Sequence, residues 1–121
     1  MSWLDSPQDY FLARYMDLAA MRQALITSNI ANIDTPGYRT RDIDFHGELQ
    51  RAIQTPGDNT TEPIVREVQG LIARPDGNNV SIDRESMLLA EVQLQFSMAE
   101  QLLKSDFKTL SLAINEGSSG S

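Results

Sequence analysis

Cysteine is absent from the 121-residue sequence, and histidine occurs only once. Without thiolates, neither a disulfide framework nor a zinc site of the usual kind can form. Basic residues are also scarce, because 10 lysines and arginines are outnumbered by 17 aspartates and glutamates, which gives a net charge of −7. Such a chain has no basic surface to displace counterions from a nucleic acid, so nucleic-acid partners are not expected.

Long apolar runs are missing as well. No stretch approaches the roughly 18 to 20 apolar residues of a membrane-spanning helix, and residues 1–8 lack the basic and apolar regions of a secretory signal. With 40% hydrophobic residues, the chain is long enough for one domain and too short for two. We predict one elongated domain over residues 1–116, followed by a flexible tail of linker composition at 117–121.

The first long helix is predicted over about residues 8–33, because its apolar residues recur at the helical spacing i, i+3, i+4 and i+7. They are Phe11, Leu12, Tyr15, Met16, Leu18, Ala19, Leu25, Ile26, Ile30 and Ile33. Asp5 or Ser6 can cap this helix, with Pro7 in its first turn. Alanines on the outward face indicate either close helix neighbours or simply high helix propensity.

A helix stop follows at Thr35-Pro36-Gly37. Proline disfavours helical backbone at Thr35, and Pro36 and Gly37 are the residues preferred at the second and third positions of a type II turn. Asn29 and Asn32 carry short polar side chains that can bond nearby backbone groups. We expect them to terminate the helix through local hydrogen bonds.

The middle segment, residues 34–82, is predicted to be irregular with some β-structure. Ile64–Val68 and Gly70–Arg74 have strand composition, and a turn at Gln69-Gly70 would join them into a short β-ribbon. Gly47–Gln54 carries a short helical pattern, and Thr55–Pro63 is rich in turn residues and is predicted to be a loop.

The second long helix is predicted over about residues 83–115, with Asp83 as its cap. One apolar seam runs along it at steps of three and four, consisting of Leu89, Val92, Phe96, Ala99, Leu103, Phe107, Leu110 and Ile114. Flanking apolar residues lie beside this seam, namely Met87, Leu88, Leu94, Met98 and Leu102. The predicted fold class is mainly α, with both long helices packed as a coiled-coil-like hairpin. Two helices bury only one stripe each, so the flanking residues indicate association with other subunits.

No pattern of residues indicates an active site. His46 is interpreted as a solvated loop histidine, and the carboxylates of Asp42 and Asp44 are expected to pair with Arg39 and Arg41. The oxygen-rich segment Asp76–Asn79 lacks the ligand spacing of a calcium loop and is predicted to be a turn. The triplet Asn59-Thr60-Thr61 matches the pattern of a glycosylation acceptor, and we interpret this weak match as accidental. We expect no catalytic residues, no cofactor, no metal and no small-molecule substrate.

The run NIANIDTPGYRTRDIDF, residues 29–45, resembles the N-terminal signature of bacterial flagellar axial proteins. Its continuation RDIDF narrows the resemblance to the proximal rod proteins, and Asp76–Met87 resembles the segment that opens their C-terminal helix. Order, spacing and length agree over nearly the whole chain. The motif positions are Asn29, Asn32, Thr35, Pro36, Gly37, Tyr38, Arg41, Asp42 and Phe45; Ile33 departs from the small residue that family members often carry there.

The resemblance implies a structural, non-enzymatic subunit of the proximal rod, exported without a cleaved signal peptide and located in the periplasmic space. It also implies the partners: copies of the chain, other rod proteins, the membrane-ring adaptor protein and the flagellar type III export apparatus. The alternative is an acidic soluble helical binding module or export adaptor that offers one amphipathic helix to a partner's groove. Mass measured over a concentration series separates the two, because an adaptor forms a small complex of defined size.

Overall fold

The computed structural model describes residues 7–55 and 62–119, with side chains described for 9–55 and 62–105. Its elements in chain order are α1 (Pro7–Ala31), β1 (Arg41–Ile43), α2 (Phe45–Gln54), β2 (Val65–Glu67) and α3 (Ile82–Ser119). Long helices at both ends and a short antiparallel sheet between them confirm the mainly α prediction. At 1.5 Å per residue, the 25 residues of α1 and the 38 of α3 extend about 37 and 57 Å.

The core lies between α1 and α3, which pack as an antiparallel hairpin. Ala19 and Ile26 of α1 meet Leu88 and Val92 of α3 at its centre. The apolar spacing seen in the sequence therefore identified the right helix faces. The far end of the predicted seam, Phe107, Leu110 and Ile114, lies outside the residues whose side chains are described.

The buried face of α3 is rotated slightly from the predicted seam. Leu88, predicted to flank the seam, is buried, whereas Leu89, Phe96 and Leu103 are only half-buried. The fully buried positions Leu88, Val92 and Ala99 follow the steps of four and seven that place residues on one side of a helix. Leu88 therefore belongs to the core and is not part of the flanking surface.

Both long helices begin or end close to the predicted positions. α1 ends at Ala31, and the chain then enters the predicted turn, in which Tyr38 N–H donates to Thr35 O (3.2 Å) and Gly37 has φ +75°. These are features of a type II turn. The predicted caps Asp5 and Ser6 lie outside the described residues.

The cap of α3 differs from the prediction. The helix begins at Ile82, and Ser81 caps it: Arg84 N–H donates to Ser81 Oγ (3.3 Å), and Glu85 N–H donates to Ser81 O (3.0 Å). Asp83 lies inside the first turn, where its negative charge interacts favourably with the positive end of the helix dipole. At its other end α3 continues to Ser119 and includes part of the predicted tail.

The sheet corrects the predicted β-ribbon. β2 lies within the predicted strand Ile64–Val68, but it pairs with β1, with Arg41 opposite Glu67. Gly70–Arg74, its predicted partner, forms no strand. Pairing between distant segments cannot be read from local periodicity, and β1 is too short to show a clear alternation.

The short helix α2 starts earlier than predicted, at Phe45, where Asp44 caps it by accepting the N–H of Gly47 (3.2 Å). The Asn59 triplet and residues 56–61 of the predicted loop are outside the described residues. Among the helices that are described, none has the length and apolar character needed to cross a membrane.

Candidate assembly site

The motif residues gather where the end of α1, strand β1 and the start of α3 meet. Asn29 lies at the centre of this junction and is only 1% exposed. Its Nδ2 donates to Arg41 O (2.9 Å) and to Glu85 Oε2 (3.1 Å). Its Oδ1 accepts from Arg41 N–H (3.1 Å) and Tyr38 OH (3.2 Å). Both donors and both acceptors of the carboxamide are therefore used, and all four bonds leave α1.

The two bonds from Asn29 to Arg41 close one edge of the sheet. Val68 N–H donates to Thr40 O (2.9 Å), which places these two residues at a hydrogen-bonded position of the ladder, while Thr40 N–H donates to Asn79 Oδ1 (2.6 Å). Pairs alternate along an antiparallel ladder, and the next pair, Arg41 with Glu67, therefore turns its main-chain groups outward. The Asn29 carboxamide meets the outward N–H and C=O of Arg41 as a neighbouring strand would. This finding corrects the expectation that Asn29 bonds only its own helix end.

Asp42, which is buried, binds two arginines from the two long helices. Arg22 of α1 donates through Nε and Nη2 to the two carboxylate oxygens (both 3.1 Å), and Arg84 of α3 donates through Nη2 (3.0 Å). Asp42 Oδ1 also accepts the N–H of Ile43 (2.8 Å). The carboxylate thus connects α1, β1 and α3.

The predicted partners of Asp42 are wrong. Arg39 donates to Gly77 O (3.1 Å), and Arg41 contributes its main chain while its side chain is exposed. Residues at odd offsets in extended backbone point to opposite faces, so neither arginine can share a face with Asp42. Asp44, which was also expected to pair with Arg39 or Arg41, instead caps α2 and reaches the exposed Arg66 at 3.5 Å.

Glu85 was missed by the sequence reasoning. Its side chain is fully buried and accepts hydrogen bonds from Asn29 Nδ2 and from Arg84 Nη1 (2.7 Å). The signal that could have found it is its position seven residues before Val92, a member of the predicted seam, which places both residues on one face of α3. We call Arg22, Asn29, Asp42, Arg84 and Glu85 the polar hub. Two carboxylates and two guanidinium groups balance within it, which offsets part of the cost of burying charge.

The loop that precedes α3 docks on the carbonyl groups at the end of α1. Asn78, fully buried, donates through Nδ2 to Asn32 O (2.9 Å) and Thr35 O (2.8 Å), and its Oδ1 accepts the N–H of Val80. The side chain of Asn32 stays local, since it donates to Ser28 O (2.8 Å). The predicted second segment therefore completes the helix stop made by the first.

A close approach of two glycines holds these segments together. Gly37 N–H donates to Asp76 O (2.9 Å), and a Cβ on Gly77 would lie 3.4 Å from Gly37 Cα. Gly77 also has φ +88°, which favours glycine. The segment Asp76–Asn79 is thus a turn, as predicted. No group of three or more potential metal ligands occurs among the described residues.

Tyr38 and Phe45 are the two aromatic residues of the motif. Tyr38 OH donates to Asn29, and Phe45 meets Tyr15 of α1 edge-on with ring centroids 5.1 Å apart. Burial, and secondly the negative charge of Glu91, raise the pKa of Tyr15 above its ordinary value. Thr35 and Pro36 are exposed at the turn.

Beside Phe45 lies a groove of about 500 Å³ between α1, α2 and α3, lined by Tyr15, Arg22, Glu91 and Gln95 among others. His46 is exposed at its rim and contacts Gln50 (3.3 Å). It lies in α2, not in the loop that we expected.

A row of apolar side chains lies exposed along α3. Its members are 51–64% exposed and recur at steps of seven, four and four. We call them the α3 stripe: Met87, Leu94, Met98 and Leu102. They lie beside the buried face and make no contribution to the core. The sequence predicted this surface correctly, apart from Leu88.

Known proteins resemble this chain over most of its length. Residues 11–39 match the family described as flagella basal body rod protein. The chain is 34% identical over 127 residues to the flagellar basal body rod protein FlgB of Escherichia coli strain K12, with 88% of this chain and 92% of the relative covered. The FlgB of Cereibacter sphaeroides is 37% identical (84% and 89% covered), and that of Borrelia hermsii 30% identical (84% and 90% covered).

Proposed function

The chain belongs to the FlgB family of flagellar basal body rod proteins, and on that premise we propose that it is a structural, non-enzymatic subunit of the proximal rod. In this proposal it assembles with copies of itself and with other rod proteins into the periplasmic drive shaft of the flagellum. The single observation that supports assembly is the α3 stripe.

The α3 stripe forms a long apolar surface that is exposed to solvent in the isolated chain. It extends from Met87 to Leu102, and the 15 helical steps between these two residues cover about 22 Å. Burying one such side chain completely contributes roughly 1.5–3 kcal/mol, so covering the stripe would supply a substantial part of a subunit contact. Contiguous apolar surface of this kind is typical of interaction sites.

The polar hub gives the stripe a fixed orientation. Asp42 and Glu85 connect α3 to β1 and α1 through arginine and asparagine partners with directional geometry. A hairpin fixed at this end presents its outer helix face at one angle, which a repeating assembly requires. In this proposal the motif residues act by setting that angle, and the α3 stripe makes the contact.

Membership in the family also supports the remaining parts of the proposal. The partners are the other rod proteins, the membrane-ring adaptor and the flagellar type III export apparatus, through which the chain leaves the cytoplasm without a cleaved signal peptide. A chain without cysteine tolerates an oxidising compartment. A binding module or export adaptor of small defined size is the competing outcome of the experiment below.

The experiment compares Leu94→Glu with Gln93→Glu in the flagellated host. Both residues are exposed, both changes add one negative charge, and the two positions are about 100° apart around the helix. Neither change should alter stability by more than about 0.5 kcal/mol, because neither side chain is in the core. We expect both variants to be exported, but only Gln93→Glu to enter isolated basal bodies at the normal level.

Export and incorporation are measured separately by immunoblotting of the culture medium and of purified basal bodies. Equal incorporation of the two variants would remove the α3 stripe as a contact surface. A wild-type chain that is absent from basal bodies, and that keeps the mass of a small complex at every concentration, would favour the adaptor.

A further inference from the structure

The two edges of the short sheet differ in the hydrogen bonding of their outward main-chain groups. On β1, Asn29 satisfies the outward groups of Arg41, and Asp42 Oδ1 accepts the N–H of Ile43. On β2, the same alternation turns the main-chain groups of Val65 and Glu67 outward, and within the described residues none of these groups has a partner. The edge of β1 is therefore covered at both main-chain groups of Arg41 and at the N–H of Ile43, whereas that of β2 is open.

A strand-like segment without a strand partner follows β2. No hydrogen bond reaches the main chain of Gln69–Ala73 in the described part of the structure. Ile72 is 93% exposed, the largest exposure among the big apolar side chains that are described. The segment carries no charge and no proline, and its Leu71-Ile72 pair has the composition from which a strand was predicted. We call Gln69–Ala73 the unpaired segment.

The unpaired segment is held away from the β2 strand of its own chain. Before it, Val68 N–H is bonded to Thr40 O, and Gly70 with φ +83° turns the chain. After it, Arg74 is held by three bonds: its N–H donates to Asn78 O (2.8 Å), Nη1 to Val80 O (3.3 Å), and Nη2 to Ile33 O. With both ends fixed, the segment cannot fold back as a hairpin onto β2.

We propose that the open edge of β2 accepts the unpaired segment of a second copy of this chain. Neighbouring subunits are then joined by an intermolecular strand pair. This inference rests on the proposed function, since the rod brings copies of the chain side by side.

A second copy is the occupant that the chain itself specifies. Every copy carries one open edge and one unpaired segment, and the main-chain N–H and C=O groups of the one can bond those of the other. The unpaired segment is uncharged, so it adds no repulsion between two molecules of net charge −7. On the apolar side, Ile64 and Val65 beside the edge are 59% and 41% exposed and are available to cover Ile72.

The contact uses two different surfaces and is therefore heterologous. Each subunit offers its open edge to one neighbour and its unpaired segment to another. Such a contact continues from copy to copy, whereas a self-complementary contact closes into a dimer. Continuation is what a helical rod requires.

The experiment is site-directed disulfide cross-linking, which the absence of native cysteine makes unambiguous. Two differently tagged copies are expressed together, one with Val65→Cys or Glu67→Cys and the other with Ile72→Cys or Ala73→Cys. Opposed residues on antiparallel strands lie about 4.5–5.5 Å apart, within the range that a disulfide bridges. Isolated basal bodies are then oxidised and probed for species that carry both tags.

We expect at least one pair to cross-link about tenfold more than the control Gln50→Cys, an exposed position on α2, and no pair to cross-link in the dilute monomer. Yields equal to the control for all pairs would overturn the inference. So would cross-links that join these positions to a different rod protein.

Ile72→Pro and Ile72→Thr give an independent measurement. Proline removes the main-chain donor, whereas threonine keeps the donor and favours strands. We expect incorporation to fall about tenfold for Ile72→Pro and at most about twofold for Ile72→Thr, which loses only part of the apolar contact with Ile64 and Val65. If both enter basal bodies equally, strand pairing is wrong while the rod assignment, tested by Leu94→Glu, still stands.

Discussion

The polar hub includes a residue of β1 and the unpaired segment follows β2, yet the two regions differ sharply in their hydrogen bonding. In the hub, Asn29, Asp42 and Glu85 are buried and bonded to several neighbours at once. In the unpaired segment, no main-chain group has a partner among the described residues and Ile72 is almost fully in solvent. The hub is bonded within the chain itself, whereas in our proposal the unpaired segment is completed by another molecule.

This difference separates two tasks that a subunit of an assembly has to perform. Bonds within the hub fix how the two long helices meet before any partner arrives. Exposed apolar and main-chain groups on β2, on the unpaired segment and on the α3 stripe contribute little to the monomer. Substitutions in the two regions should therefore affect different measurements: folding stability in the first and incorporation in the second.

The largest effect on stability is expected for Asp42→Ala. This change leaves the guanidinium groups of Arg22 and Arg84 without their shared carboxylate in a partly buried site. Removing one partner of such a network costs about 3–5 kcal/mol. Urea denaturation measures the loss, and Glu67→Ala on the exposed strand is the matched control, with a change within about 0.5 kcal/mol. Similar midpoints for the two variants would show that the hub does not hold the fold.

Asn29→Ala is expected to cost slightly less, about 3 kcal/mol. It leaves the N–H and C=O of Arg41 and the carboxylate of Glu85 short of partners, and each buried group without a bond costs about 1–3 kcal/mol. Asn32→Ala removes only bonds local to the helix end and should cost about 1 kcal/mol. Amide exchange at Arg41 should accelerate in the first variant alone; slow exchange there would mean that the strand edge is protected by something else.

The smallest expected effect on stability is the difference between alanine substitutions at two glycines of similar backbone conformation. Gly37 and Gly70 have φ +75° and +83°, and an added Cβ meets no atom within 4 Å at either. Gly37→Ala should cost about 1 kcal/mol, because the bond from Gly37 to Asp76 holds the strained conformation in place. Gly70→Ala should cost less than about 0.5 kcal/mol, since its segment can relax. Equal melting curves for the two variants would show that the unpaired segment is as rigid as the turn at Gly37.

Local patterns in the sequence were sufficient to predict the helices, the turn at Pro36-Gly37 and the apolar surface of α3. Each depends on spacing within one segment, which periodicity and proline or glycine chemistry report directly. The partners of Asp42 were predicted wrongly because nearness in sequence was preferred to strand alternation. Arg22 and Arg84, its actual partners, are 20 and 42 residues away.

Other features depend on contacts that a single sequence does not reveal. Asn29 was assigned to its own helix end because asparagine commonly acts there. The predicted partner of β2, Gly70–Arg74, forms no strand despite its strand-like composition, and β2 pairs with β1 instead. The lack of a strand partner for that segment within the monomer is the observation on which the proposed pairing between copies depends.

Met87 and Met98 place two thioethers in the α3 stripe, where they are 64% and 56% exposed. Oxidation to the sulfoxide would turn each from a flexible apolar group into a polar one, and the chain has no thiol that could react first. Peroxide would therefore reach a free subunit at the surface proposed for assembly. An assembled subunit would have the same sulfur atoms covered. Under oxidative stress, the subunits not yet incorporated would be the ones damaged, and existing rods would keep working while new ones failed to grow.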